Sequence, residues 1–231
     1  MALTNDHVAG RYGINMPYSA CEPSAASKEE AGLARAFNVG LALLIILFFA
    51  PLLLTVAAIT RLSDGGPAIF AHRRVGRNGK PFYCLKFRSM AVDAEARLAA
   101  LIAADPAARA EWEATHKLKQ DPRVTRWGAF LRVSSLDELP QLFNVVRGEM
   151  NIVGPRPIVQ GETHHYGRYI HNYSSVRPGM TGLWQVCGRS DTTYRRRVAM
   201  DVRYVQHKSL WFDLKILVLT VGAVLARRGS Y

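Results

Sequence analysis

Apolar residues fall in blocks along this chain, and the longest block dominates the reading. From Ala36 to Thr60 the segment AFNVGLALLIILFFAPLLLTVAAIT holds no charged residue over 25 positions. At about 1.5 Å of rise per residue, a helix of that length could cross a bilayer. Pro51 stands near its centre, where it removes one helical hydrogen bond and clashes with the preceding turn, so a sharp bend is predicted at Ala50 and Pro51. Lys28 and Arg35 precede the block, and Arg61, Arg73, Arg74, Arg77 and Lys80 follow it. Cations on both flanks conflict with a simple crossing, because it is the cytoplasmic flank that carries Lys and Arg. Over residues 31–62 the pattern predicts a re-entrant helix that dips into one leaflet, kinks at Pro51 and returns; a straight span is the alternative. Residues 1–30 lack large apolar residues and periodicity, and read as a disordered tail rather than a signal peptide.

Residues 63–231 have the alternating and helical patterns of a folded domain. After the turn SDGGP, two short strands are predicted around Asn78-Gly79, a strong hairpin dipeptide. In the second strand Tyr83, Leu85 and Phe87 alternate with Cys84, Lys86 and Arg88, which puts two cations on one face. Residues 92–117 read as two helices, the second opened by Asp105-Pro106. Near the C-terminus, LWFDLKILVLTVGAVLARR has an uncharged core of 11 residues, Ile216 to Ala226, too short to span the hydrocarbon. Trp211 and Phe212 at one end and Arg227 and Arg228 at the other suit a helix lying at a membrane surface; a buried core helix is the alternative. The fold class expected is mostly α with a small β-hairpin (α+β), in a monotopic membrane protein whose amphipathic helices are interfacial.

Charge adds a requirement for an anionic partner. There are 30 Lys+Arg against 18 Asp+Glu, a net charge of +12, of which +8 lies in residues 121–231. Nucleic acid, an acidic membrane surface or a phosphate-bearing substrate would each satisfy it. Nucleic acid fits worst, since carboxylates and prolines interrupt the cations and two apolar anchors would have no purpose. Cys21, Cys84 and Cys187 form no CxxC pair and are odd in number, which excludes a disulfide scaffold and a zinc ribbon and fits a reducing, cytosol-facing environment.

The densest polar stretch is RVSSLDELPQLFNVVRGEMNIVGPRPI, residues 132–158. Ser135 and Glu138 fit a capping box, which accounts for Glu138 but not for Asp137. If Asp137 is the cap instead, Pro140 falls harmlessly in the first turn. In either register two adjacent carboxylates would sit at the positive end of a helix, favouring their ionised forms as nucleophile or Mg2+ ligand. Lys86, Arg88, Arg132, Arg147 and Arg156 surround this pair in sequence, and Arg156 is held between Pro155 and Pro157 as a guanidinium pre-set for phosphate. Carboxylates with converging cations are what phosphoryl transfer involving a diphosphate requires. RPGMTGLWQVCGRS lacks GK[ST] and is not a nucleotide phosphate loop; it reads as a loop bearing Gln185 and Arg189 near the nucleotide, or simply as glycine turns. His164, His165 and His171 lack metal-pair spacing. Tyr166, Tyr169 and Tyr173, at i, i+3, i+7, more often mean packing or an interfacial belt than recognition. Asp191 is expected to cap the helix carrying Arg195-Arg196-Arg197, a solvated face or a headgroup contact.

The stretches KFRSM (86–90), DPRVTRWGAFLRVSSLDELPQLFNVVRGEMNIVGPRP (121–157), RPGMTGLWQVCGRS (177–190) and YVQHKSLWFDLKIL (204–217) resemble, in colinear order, the motifs of the bacterial sugar transferases. These are small monotopic phosphoglycosyl transferases, and the resemblance covers roughly residues 33–228. It implies a UDP-sugar and undecaprenyl phosphate as substrates, ping-pong transfer at an Asp-Glu dyad, a requirement for Mg2+, and a place on the cytoplasmic face of the bacterial inner membrane. Carried over to this sequence, Asp137 is the nucleophile and Glu138 its partner carboxylate; from the residues themselves, Asp137 is the expected metal ligand and Lys86, Arg88, Arg132, Arg156, Gln185 and Arg189 are expected toward the substrates. A carboxylate nucleophile is chemically reasonable, because an acyl phosphate is a good donor. The chain departs from the family at the bend, where Ala50-Pro51 replaces the frequent Ser-Pro and loses a hydroxyl that could satisfy freed carbonyls. Its length is that expected of the minimal form. The similarity leans toward galactose or glucose 1-phosphate transfer, and no single residue can be tied to the sugar. A non-catalytic basic membrane adaptor would share the charge and the anchors but would leave the dyad unused.

Overall fold

The computed structural model describes residues 25–115, 118, 120–187 and 193–225. Contacts divide the chain into residues 1–33 and 34–231, and the folded core belongs to the second unit. The first helix, α1 (Ala25–Phe48), begins inside the stretch expected to be a tail, where Ala, Lys and Glu are strong helix formers. Phe49 leaves helical geometry (φ −92°, ψ 8°), and α2 (Ala50–Asp64) restarts with Pro51 in its first turn. The segments Gly32–Phe48 and Ala50–Asp64 meet at 66°, so the predicted bend is present at the predicted place. Among the described residues no single helix is long and apolar enough to cross a membrane. The outer faces of this bent pair expose Leu43, Leu44, Leu47, Phe48, Leu54 and Leu62. The inner faces are buried: Ala42 joins the main core, and Leu53 and Val56 pack with Phe87 and Leu131.

The hairpin forms as the alternation predicts. Strand β1 (Ile69–Val75) pairs antiparallel with β2 (Pro81–Phe87), from Ile69 opposite Phe87 to Val75 opposite Pro81. The connecting turn holds Asn78 at φ 57° and Gly79 at φ 71°, left-handed geometry that Asn and Gly tolerate best. Helices α3 (Ala94–Ala104) and α4 (Pro106–Thr115) follow, with the Asp105 carboxylate accepting from Ala107 N at 2.8 Å. Then come α5 (Arg126–Val133), α6 (Gln141–Arg147), β3 (Asn151–Val153), α7 (Ile170–Ser175), β4 (Gly179–Thr181), α8 (Leu183–Cys187), α9 (Tyr194–His207) and α10 (Leu210–Leu225). The protein is mostly helical with a small antiparallel sheet, and β3 and β4 add a two-stranded parallel ladder that three-residue strands gave no periodicity to foresee.

Three buried clusters hold these elements. Leu142, Val145, Met150, Ile152, Tyr204 and Ile216 form the main one under α6, β3 and α10. Helix α10 buries Ile216 and exposes Trp211, Val218, Leu219 and Val221, so it is core on one face and apolar surface on the other. A second cluster contains Tyr166 and Tyr173, whose spacing therefore records packing. Helix α9 is capped by Thr193, whose hydroxyl accepts from Arg196 N; Asp191 and Arg189, like Cys21, Arg227 and Arg228, lie outside the described residues.

Candidate active site

Asp137 and Glu138 occupy a single 3-10 turn, Leu136–Glu138, that separates α5 from α6. Neither capping register forms. Ser135 adopts φ 57°, ψ 15° with no side-chain cap, and α6 begins only after Pro140. A left-handed, non-glycine residue is strained by roughly 1–3 kcal/mol, and here it turns the chain so that Asp137 faces inward rather than lying at a helix end. The expected benefit of a helix N-terminus is thereby lost. Asp137 is 8% exposed, and its carboxyl is held above the usual range, first by burial and then by Glu138, with Lys86, Arg132 and its own backbone N–H pulling the other way.

Lys86 is the group that counters this burial. Its Nζ donates to Glu138 Oε1 at 2.6 Å and lies 3.7 Å from Asp137 Oδ2, so one ammonium serves both carboxylates. Two devices bring β2 to the dyad. Asn144 of α6 is fully buried; its amide accepts from Leu85 N (2.9 Å) and donates to Tyr83 O (2.7 Å) and Glu149 Oε2 (2.6 Å), continuing the sheet on the free edge of β2. Gly128 of α5 lies so close to Ser89 that a Cβ would sit 1.8 Å from the Ser89 carbonyl oxygen. Arg132 Nε also donates to Ser89 Oγ at 2.9 Å. Strand, helix and turn are thus fastened together within a few residues of the carboxylates.

Beside the dyad lies a cavity of about 50 Å3, the size of a few waters, lined by Arg74, Cys84, Lys86, Glu138, Gln141, Arg156 and Gln185 among others. It admits phosphoryl oxygens, while the rest of any nucleotide would project from its mouth. A larger depression of about 430 Å3 has Val75, Gly79, Gln160, Thr163, His164 and Ile170 in its wall but no carboxylate, Lys or Arg, which leaves it without the charge for this chemistry.

Of the residues singled out from sequence, Lys86, Glu138, Arg156 and Gln185 meet at the cavity, with Asp137 against Lys86 and Arg132 within electrostatic reach of Asp137. Arg88 goes elsewhere. Arg88, one residue beyond β2, pairs with Asp64 and donates to Thr60 O at the end of α2, while within β2 Cys84 is buried and Tyr83 exposed, the reverse of what the apolar face suggests. Arg189 lies outside the described residues. Among the described residues no three His, Cys, Asp or Glu side chains cluster as a metal site. Sequence reasoning missed Arg74, which was visible only as a flanking charge; its Nη1 lies 3.3 Å from Pro157 O and 3.7 Å from Glu162, which anchors it in the cavity wall. Asn144 carried no signal, since a buried amide that pairs with a strand edge leaves no periodicity.

A second buried carboxylate stands in α9. Asp201 is 2% exposed; Tyr166 OH donates to its Oδ2 at 2.7 Å, while Oδ1 has no hydrogen-bond partner. Burial pushes its pKa up to about 7, opposed by the Tyr166 hydrogen bond and by Arg197.

Two adjacent carboxylates that share one ammonium beside a cation-lined cavity, on a small helical scaffold with an apolar bent helix pair, make a site suited to phosphate groups. The chain belongs to the bacterial sugar transferase family, whose description matches residues 29–227. It is 51% identical over 200 residues to the UDP-galactose-lipid carrier transferase of Erwinia amylovora, covering 86% of this chain and 42% of that protein. To the undecaprenyl-phosphate galactose phosphotransferase of Salmonella typhimurium it is 49% identical over 207 residues, covering 89% of this chain and 43% of that one. The chain spans less than half the length of these relatives. Against the exopolysaccharide production protein ExoY of Rhizobium meliloti it is 48% identical over 216 residues, 93% of this chain and 96% of ExoY.

Proposed function

We propose that this protein transfers a hexose 1-phosphate from a UDP-sugar to undecaprenyl phosphate at the start of exopolysaccharide or glycan assembly. The observation that carries the reading is the contact of Lys86 with both Asp137 and Glu138 at a cavity that Arg74 and Arg156 also line. The names of the relatives support the substrate class, with galactose favoured by two of them.

In the first half-reaction an Asp137 carboxylate oxygen attacks the sugar-linked phosphorus. The bond from that phosphorus to the bridging oxygen breaks, UMP leaves with that oxygen, and a phosphosugar-aspartyl acyl phosphate remains. In the second, an oxygen of undecaprenyl phosphate attacks the same phosphorus and displaces Asp137, giving the diphosphate-linked product. Lys86 keeps charge balance at the dyad as Asp137 loses its negative charge to the acyl phosphate, and Arg74 and Arg156 face the phosphoryl oxygens. Asp137, with Glu138 beside it, would hold Mg2+, an ion that is commonly bound by one or two protein carboxylates together with substrate phosphates. When bound, Mg2+ supplies neutralisation of diphosphate charge.

The exposed apolar residues of α1, α2 and α10 support insertion into one leaflet of the inner membrane, with basic side chains toward anionic headgroups and the dyad on the cytoplasmic face. A single cysteine before Arg35 is expected to react with cytoplasmic and not periplasmic reagents; periplasmic labelling would establish a crossing instead. The functional test is incubation of the full chain with radiolabelled UDP-galactose, UDP-glucose and other UDP-sugars, Mg2+ and undecaprenyl phosphate. Lipid-linked radioactivity that disappears in Asp137→Asn is the expected result, and no lipid product from any sugar would favour the adaptor reading.

A further inference from the structure

Arg156 is an exposed guanidinium at the mouth of a cavity that already contains Lys86 and Arg74. Arg74 is close enough for the two like charges to repel, and Arg156 has no hydrogen bond or ion pair to any described residue. Its partner is an aromatic ring: the guanidinium carbon lies 5.8 Å from the centroid of Trp184, within the range of a cation–π contact. Trp184 is 7% exposed and also carries Arg197 of α9, at 4.6 Å.

The backbone holds the segments that carry the two residues close together. Gly154 N donates to Thr181 O at 2.9 Å and Gly179 N to Pro155 O at 2.8 Å, which lock the segment before Arg156 to the strand before α8. Only glycines permit the approach, since a Cβ on Gly179 would lie 2.1 Å from Gly154 N and one on Gly182 2.3 Å from Gly154 O. Pro157 on the other side is held through its carbonyl by Arg74 Nη1. With its flanks fixed, the Arg156 side chain lies over the indole face of Trp184.

Resting on the transferase reading, we propose that Trp184 is a positioning residue that holds Arg156 at the cavity without using any of its N–H donors, leaving the whole guanidinium fork for the diphosphate of the nucleotide sugar. A carboxylate in the same place would fix the arginine but occupy its donors and cancel its charge; an indole face does neither. Arg197 on the same ring joins α9 to this arrangement.

The test is a double-mutant cycle on UDP affinity, measured by calorimetry on the full chain in lipid nanodiscs, with turnover followed separately. Trp184→Met is expected to weaken UDP binding about 3- to 10-fold, Trp184→Phe to recover most of the loss, and Arg156→Ala to weaken binding at least as much as Trp184→Met. In the Arg156→Ala background Trp184→Met should add less than about twofold, because its effect passes through Arg156. Equal losses in both backgrounds, or no loss from Trp184→Met, would overturn the assignment, as would parent protein that fails to bind UDP. Should Trp184→Met not fold by circular dichroism, Trp184→Leu and Trp184→Phe run the same cycle. A parent that binds UDP with the expected coupling yet forms no lipid-linked product would defeat the transferase reading and leave the positioning role standing.

Discussion

Asp137 and Asp201 are both buried aspartates whose pKa is raised by loss of solvent, yet their surroundings differ. Asp137 sits in a strained turn against an ammonium, beside a cavity lined by guanidinium groups. Asp201 sits in mid-helix against a tyrosine hydroxyl, with one oxygen lacking a partner. Burial alone therefore does not mark a reacting carboxylate. An ammonium within 3.7 Å that also serves a neighbouring carboxylate, and a cavity beside that pair, distinguish the first from the second.

The largest separation between them should come from deleting each charge. Asp137→Asn is expected to lower transfer at least about 10^3-fold with the fold intact by circular dichroism, whereas Asp201→Asn should keep turnover within roughly tenfold. Comparable losses in both would erase the distinction. Next in size, Asn144→Ala should cost about 3 kcal/mol in chemical denaturation, because it leaves buried groups of β2 without partners and loosens Lys86 from the dyad. Removing the ammonium by Lys86→Met should reduce turnover about 10^2-fold. It should also move the acidic limb of the pH–rate profile upward, since Lys86 is what holds the Asp137 pKa down. An unmoved limb would mean that the limb belongs to another group.

The smallest effect concerns stability and pH. Asp201 has a folded-state pKa of about 7, above its unfolded value, so the folded state binds more protons between the two. Its contribution is therefore full below the unfolded pKa and is lost as pH rises toward 7. From about pH 5.5 to about pH 7.5 the loss is on the order of 2 kcal/mol, read from denaturation curves, and Asp201→Asn should flatten it. A parent that gains stability over that interval would contradict the assignment.

The same two regions show what a sequence carries. The bend at Pro51, the Asn78-Gly79 hairpin and the paired helices of residues 94–115 were legible because each depends on local chemistry: a missing N–H, a left-handed pair, a proline in a first turn. Asp137 and Glu138 stood out in the sequence as a candidate pair, but their setting did not. Ser135 and Glu138 match a capping box, and tertiary contacts overrode it by offering Glu138 an ammonium 52 residues away in sequence. Alternation put Lys86 and Arg88 on one face, but Lys86 reaches Glu138 while Arg88, just past the end of β2, reaches Asp64 of α2. The parallel pairing of β3 with β4, the Asn144 link and the Trp184 contact depend on long-range approach, which no local pattern encodes.

The central claim is that Asp137 accepts the phosphosugar before the lipid does. Exchange of radiolabelled UMP into UDP-sugar, with Mg2+ present and undecaprenyl phosphate omitted, tests it most directly. The account predicts exchange by the parent chain and none by Asp137→Asn. No exchange by a parent chain that transfers in the presence of lipid, or exchange that persists in Asp137→Asn, would contradict it.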